Sequence, residues 1–201
     1  MRAKRFLTLG LITGLLFGSL GVADAAKRKP TTKKFYLHYP AEGGTCGARF
    51  MDTVDSPDSG CGFTFQAANE VFVQTGAQEP LTADWMAAKG LPLVLNGSKP
   101  ITASIGLASI TGTPSAGAAK LHLILEGTAG GKLITLIDET KEMQLTGLAG
   151  QTFDFSVKPP KSANGKKLTA LVAYTIIHGV SNTHGLELDS PAAFISVPSF
   201  K

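Results

Sequence analysis

Cysteine is almost absent from this chain, tryptophan occurs once and tyrosine three times. The spacing of the two cysteines, Cys46 and Cys61, fits neither the Cys-x-x-Cys of a redox pair nor a four-ligand zinc set. Aromatic residues make up 7% of the sequence, so a ring platform for a flat ligand would rest on a handful of side chains. Past Val22 no apolar run approaches the roughly 20 residues that a membrane-spanning helix needs. Gly-x-Ser-x-Gly, Ser-x-x-Lys and a free cysteine with a partner histidine are all missing, which removes the usual signatures of nucleophilic catalysis. A carboxylate pair for glycoside hydrolysis leaves no comparable mark, because its spacing is spatial and not sequential. No basic stripe interleaved with aromatics is present, and with it goes the ordinary footprint of nucleic-acid binding.

What is present begins with an export signal. Arg2, Lys4 and Arg5 precede an uncharged apolar run from Phe6 to Val22, and Ala23-Asp24-Ala25 places small residues where a signal peptidase reads them. The expectation is a signal peptide over 1–25 and a secreted or envelope-located protein of bacterial type, with an uncleaved anchor as the alternative. No lipoprotein cysteine follows the run. In an oxidising compartment Cys46 and Cys61 most simply join as one disulfide, stabilising the fold by about 3 kcal/mol through the unfolded chain.

Charge is unevenly placed. Lys27, Arg28, Lys29, Lys33 and Lys34 crowd the start of the exported chain, while the remainder carries more acids than bases. Residues 26–34 therefore read as a basic, flexible leader before a mildly acidic domain over 35–198. Such a leader is either a solvated linker or an adhesive for anionic envelope polymers and lipid headgroups.

From Lys34 onward apolar residues recur with period two. Ile101, Ala103, Ile105 and Leu107 alternate with Thr102, Ser104, Gly106 and Ala108, and Phe153, Phe155 and Val157 do the same against Thr152, Asp154 and Ser156. Further strands are expected at Phe35–Tyr39, Phe63–Gln66, Glu70–Thr75, Leu91–Leu95, Leu121–Glu126, Leu133–Asp138, Met143–Leu145, Leu186–Asp189 and Ala193–Val197. Leu168–Ile177, apolar on both alternating sets, reads as a central strand. Asn96-Gly97, Gly130-Gly131, Asn164-Gly165 and Pro159-Pro160 punctuate them as turns. Asp84 and Gly90 bracket a short helical piece, Thr82–Ala88. The pattern predicts an all-β fold, a two-sheet antiparallel β-sandwich of jelly-roll type with one disulfide.

The long apolar strand at Leu168–Ile177, the run Leu186-Glu187-Leu188-Asp189-Ser190-Pro191 and the closing Ile195-Ser196-Val197-Pro198 carry a resemblance. Through them Leu91 to Pro198 resembles the jelly-roll, galactose-binding-like modules of secreted hydrolases, including the C-terminal domain of X-prolyl dipeptidyl peptidases. The resemblance implies that fold and a binding or accessory role. It does not include the Cys46–Cys61 loop, and no hydrolase domain accompanies it.

Three groups of side chains are candidates for chemistry. Asp52, Asp55 and Asp58 offer hard oxygen ligands suited to calcium, although their spacing of three is not that of a known calcium loop; turn stabilisation around Pro57 and Gly60 is the alternative. His178 and His184, with Glu187 and Asp189 nearby, could hold zinc or form a base with its orienting acid, or be histidines of a surface loop. Tyr36, Tyr39 and Trp85 are amphipathic rings of the kind that stack on sugars; Tyr174 is expected in the core. Asn96-Gly97-Ser98 matches a glycosylation sequon but reads as a hairpin turn. The reading is a secreted, non-catalytic protein with a binding or envelope-accessory role, its partner a polysaccharide or an anionic envelope polymer. The competing readings are a carbohydrate-binding module and a small hydrolase with a carboxylate pair.

Overall fold

The computed structural model describes residues 28–38, 50–54, 70–73, 81–87, 90–109, 117–145, 151–178, 184–188 and 193–201. Through them run β1 (Pro30–His38), β2 (Phe50–Asp52), β3 (Glu70–Val73), β4 (Leu81–Ala87), β5 (Leu93–Leu95), β6 (Ile101–Ser109) and β7 (Gly117–Ala129). They continue with β8 (Lys132–Leu145), β9 (Gln151–Val157), β10 (Lys167–Leu168), β11 (Ala170–His178), β12 (His184–Leu188) and β13 (Phe194–Phe200). Among the described residues the only helical element is one 3-10 turn, Lys161–Ala163. The signal segment, Cys46, Cys61, Tyr39, Asp55, Asp58, Asp189 and the expected strand at Phe63–Gln66 lie outside the described residues.

The strands hydrogen-bond in the order β3-β12-β6-β13-β1-β2-β4-β11-β7-β8, with β9 on the free side of β6 and β5 bridging β13 and β10. β2 and β4 run parallel, and the other pairs are antiparallel. The fold is all-β, as the period-two pattern predicts, but it is one mixed sheet curled into a half-barrel. Two stacked antiparallel sheets are not what the pairing shows, because β1 bonds β13 on one side and β2 on the other, so the ladder passes unbroken around the curl.

The interior follows from alternation. Phe35 and Leu37, Trp85, Leu171 and Ala173, Leu121 to Leu125 in steps of two, Phe153 and Phe155, and Ile195 and Val197 all point inward and are buried. Each large aliphatic so placed contributes about 1.5–3 kcal/mol. In β8 the register slips by one at Leu125/Glu126, and the bulge lets consecutive Leu136 and Ile137 both bury. The hairpin joining β7 to β8 turns on Gly130 and Gly131, with φ of +57° and +75°, the conformation a two-residue loop between twisted strands requires. Where β8 approaches β9, side chains close the gap: Lys141 Nζ donates to the Asp154 carbonyl, and Gln151 Nε2 to that of Gln144 at 3.1 Å.

Several expectations are corrected. Thr82–Ala88 is not helical; Leu81–Ala87 forms β4, with Asp84 and Met86 exposed on either side of buried Trp85. So short a helix could not outweigh the backbone bonds that β11 and β2 offer on its two edges. β8 is one strand where two were expected, since Glu139 to Glu142 stay paired with β7 despite their charge. β11 is central, flanked by β4 and β7, but Tyr174 faces outward and is exposed. The leader is not free beyond Pro30: Thr31, Thr32, Lys33 and Lys34 pair with Ser199, Pro198, Val197 and Ser196. β-branched threonines favour that extended state.

Candidate functional site

The sheet gathers one sign of charge at one end. β1 enters beside the last residues of β13, with Pro30 opposite Phe200, and the Lys201 amide donates to the Lys29 carbonyl at 2.9 Å. β5 joins them, pairing Val94 with both Phe200 and Lys167, and the Leu95 amide reaches the Lys166 carbonyl at 2.9 Å. The turn from β5 to β6 docks on the 158–166 segment, where Asn164 Oδ1 accepts the Gly97 amide at 2.8 Å. Four stretches far apart in sequence thus bring Arg28, Lys29, Lys33, Lys34, Lys99, Lys158, Lys161, Lys166, Lys167 and Lys201 to the same end. No aspartate or glutamate occurs in 28–34, 92–102, 156–170 or 196–201.

Asn96 anchors this end. It is buried, its Oδ1 accepts the Ser98 amide at 3.2 Å and the Ser98 hydroxyl at 2.6 Å, and its own amide donates to the Pro198 carbonyl at 2.9 Å. The sequon is therefore a turn whose asparagine is committed to the fold.

Beside β1 lies a groove of about 730 Å³ lined by Lys33, Lys34, Lys201, Tyr36, Thr31 and Ser199, among others. Lys33 Nζ donates to the carbonyl of Gly90, a residue at φ +91° where an added Cβ would come within 2.8 Å of Phe35 Cε1. Lys34 Nζ sits 4.6 Å from the Tyr36 ring centroid and 3.8 Å from that of Phe194, so the half-buried ammonium is held by aromatic faces. Beyond it on the outer face, Ser196, Thr102 and Ser156 continue the same row across β13, β6 and β9. A second groove of about 650 Å³ is lined by Lys158, Lys161, Asn164 and Ser98. These surfaces can attract and hydrogen-bond anionic groups.

The other candidates are placed as follows. Asp52 is buried on β2 with His38 of β1: His38 Nε2 lies 3.2 Å from Asp52 Oδ1, which also accepts the Val54 amide at 2.9 Å. His38 stacks on Phe50, directly opposite it across the two strands, with ring centroids 5.0 Å apart. A calcium ion at Asp52 would have to compete with this pair. No group of three or more histidine, cysteine, aspartate and glutamate side chains suited to a metal is found among the described residues. His178 ends β11 and His184 begins β12, strands that pair with different neighbours. Trp85 has no exposed surface and its ring is closed to a sugar, which corrects its assignment as a stacking residue; Tyr36 is half-buried at the groove.

The sequence pointed to the basic start of β1 and to Tyr36, and it missed Lys99, Lys158, Lys161, Lys166, Lys167 and Lys201. The one available signal was the clustering of lysines around Pro159-Pro160 and Asn164-Gly165.

No family model matches the chain, and no curated protein matches it. Among solved structures, the arabinose-bound MgGH51 α-L-arabinofuranosidase is similar over 90% of this chain at 11% identity, with a TM-score of 0.38. This chain spans 26% of that structure's length. At that score the likeness assigns neither fold nor function.

Proposed function

We propose that this is an exported, non-catalytic accessory protein that binds an anionic polymer of the cell envelope through its lysine-rich end. What supports the reading is the convergence of lysines from four separate segments on one end with no carboxylate in those segments. Each cation near an anionic surface is worth on the order of 1 kcal/mol, and a field of one sign also speeds encounter. A Cys46–Cys61 disulfide belongs to the same reading, since small exported binding proteins are commonly stapled in this way. Carbohydrate stacking would fall to Tyr36, because Trp85 is buried.

The test is retention on immobilised polyphosphate and polygalacturonate, with cellulose as the neutral control. Retention on the polyanions at about 50 mM salt, lost by about 300 mM, is the expected result. Joint replacement of Lys158, Lys161, Lys166 and Lys167 by glutamate should abolish it, whereas Lys120→Gln, near the start of β7 at the opposite end, should not. Equal retention of the two variants would refute the reading.

A further inference from the structure

β11 carries apolar side chains on both of its faces, the pattern of a strand that is covered on two sides. One side is covered, with Leu171, Ala173 and Ile177 buried in the core. On the other, Val172, Tyr174 and Ile176 face away from the core, with Met86 of β4 opposite Val172 and Ile124 of β7 opposite Tyr174. The three large apolar residues that stand exposed among the described residues, Met86 and Leu133 at 62% and Tyr174 at 37%, all lie on this outer face. A patch of this kind on a soluble protein marks a site of interaction. Acids surround it: Asp84 is opposite Tyr174 on β4, Glu126 opposite Val172 on β7, and Asp138 opposite Ile124 on β8, where it lies 2.7 Å from His122. Lys120, opposite His178 at the far end of the strip, is already paired with Glu142 at 3.3 Å.

We propose that this face docks a cationic amphipathic α-helix of a partner protein, its apolar stripe seated on Met86, Val172, Tyr174, Ile176 and Ile124 and its basic side chains reaching Asp84, Glu126 and Asp138. The site shares no residue with the lysine-rich end. β11 is hydrogen-bonded along both edges, so an occupant must be held by side chains alone; a helix, whose backbone bonds are internal, meets that condition, and an added strand does not. Size agrees, because four strands at about 4.8 Å spacing make a strip about 15 Å across and, from Ala170 to His178, about 27 Å long. An α-helix with its side chains is about 10–12 Å across and covers that length in about 18 residues. Charge selects among the other occupants. An anionic lipid surface would be repelled by the acids, and the same face of a second copy would set carboxylates against carboxylates. This chain's own segments 55–69 and 74–80 contain Asp55, Asp58 and Glu79 and no basic residue, so they do not complement the face either. A sugar polymer needs successive rings to stack on, and Tyr174 is the one aromatic of the strip.

The test uses two labelled peptides of about 18 residues, both of leucine and lysine in the same proportions, read by fluorescence anisotropy at low salt. One has its leucines at the i, i+3, i+4, i+7 spacing of an amphipathic helix, and the other has the order scrambled so that no stripe forms. The striped peptide should bind the protein at least about tenfold more tightly than the scrambled one. Met86→Lys and Tyr174→Lys, at exposed positions, should melt as the wild type does and each lose about tenfold in affinity for the striped peptide. The variant with glutamate at Lys158, Lys161, Lys166 and Lys167 should bind it no less tightly than wild type, which separates this face from the lysine-rich end. Equal binding of the two peptides, or unchanged affinity in both single variants, overturns the proposal. So does a dimer in sedimentation that Met86→Lys dissolves, which would give the face to a second copy, or retention on cellulose that Tyr174→Lys abolishes, which would give it to a glycan.

Discussion

Thr175 offers the sharpest energetic test of the interior. It sits midway along β11, opposite Ala83 on β4 and Leu123 on β7, with no exposed surface, and its Oγ1 has no hydrogen-bond partner among the described residues. Valine has nearly the same shape and the same preference for extended backbone. Thr175→Val therefore removes an unsatisfied buried hydroxyl while keeping the packing, and should stabilise the protein by about 1–2 kcal/mol. In a chain of this size that corresponds to a rise in Tm of about 2–8 °C by differential scanning calorimetry. Thr175→Ser keeps the hydroxyl and deletes the methyl, and should lose about 1 kcal/mol. The order Val, Thr, Ser is the expected ranking. A lower Tm for the valine variant would mean that the hydroxyl is satisfied and that the reasoning about this site is wrong.

Two further substitutions probe other links. His38→Ala should cost about 3–5 kcal/mol in urea unfolding, because it strands the buried Asp52 carboxyl beside the cavity left by an imidazole stacked on Phe50; a loss below about 1 kcal/mol would show that the pair is not structural. Gly131→Ala meets no atom within 4 Å, so its cost is confined to the backbone at φ +75° and should be about 1–2 kcal/mol; an unchanged melt would show that the hairpin does not need that conformation.

Period-two patterning was enough to find most of the strands where alternation is clean. β6 and β9 are the clearest cases, with Ile101 to Leu107 and Phe153 to Val157 lying within the observed strands and facing the core in the expected sense. The errors share a cause: local signals that long-range pairing overrides. Asp84 and Gly90 resemble helix boundaries, yet β4 is held by two neighbours contributed from residues 50–52 and 170–178. The polar run in β8 looks like a break between strands, but Lys120 pairs with Glu142 at 3.3 Å and His122 with Asp138 at 2.7 Å across the hairpin. Such exposed pairs stabilise little, and it is the continuous backbone ladder with β7 that carries the strand through. The sequence places Tyr174 in the core because the whole segment is apolar, whereas alternation on a sheet with one covered face sends every second residue outward.

The lysine-rich end was illegible for a different reason. No segment that forms it is unusual by itself, and its character arises only when β13 returns to β1 and β5 ties the 158–167 stretch against both. That assembly holds like charges near one another by backbone bonds such as Lys201 to Lys29 and Leu95 to Lys166, with no acidic residue supplied from the same segments to offset them. Acidic residues are present elsewhere, paired with Lys120, His122 and Lys141 on the β7–β8 hairpin, so the imbalance is one of placement and not of composition. Self-repulsion of this kind weakens a fold slightly, and an anion bound only by the folded state would reverse it.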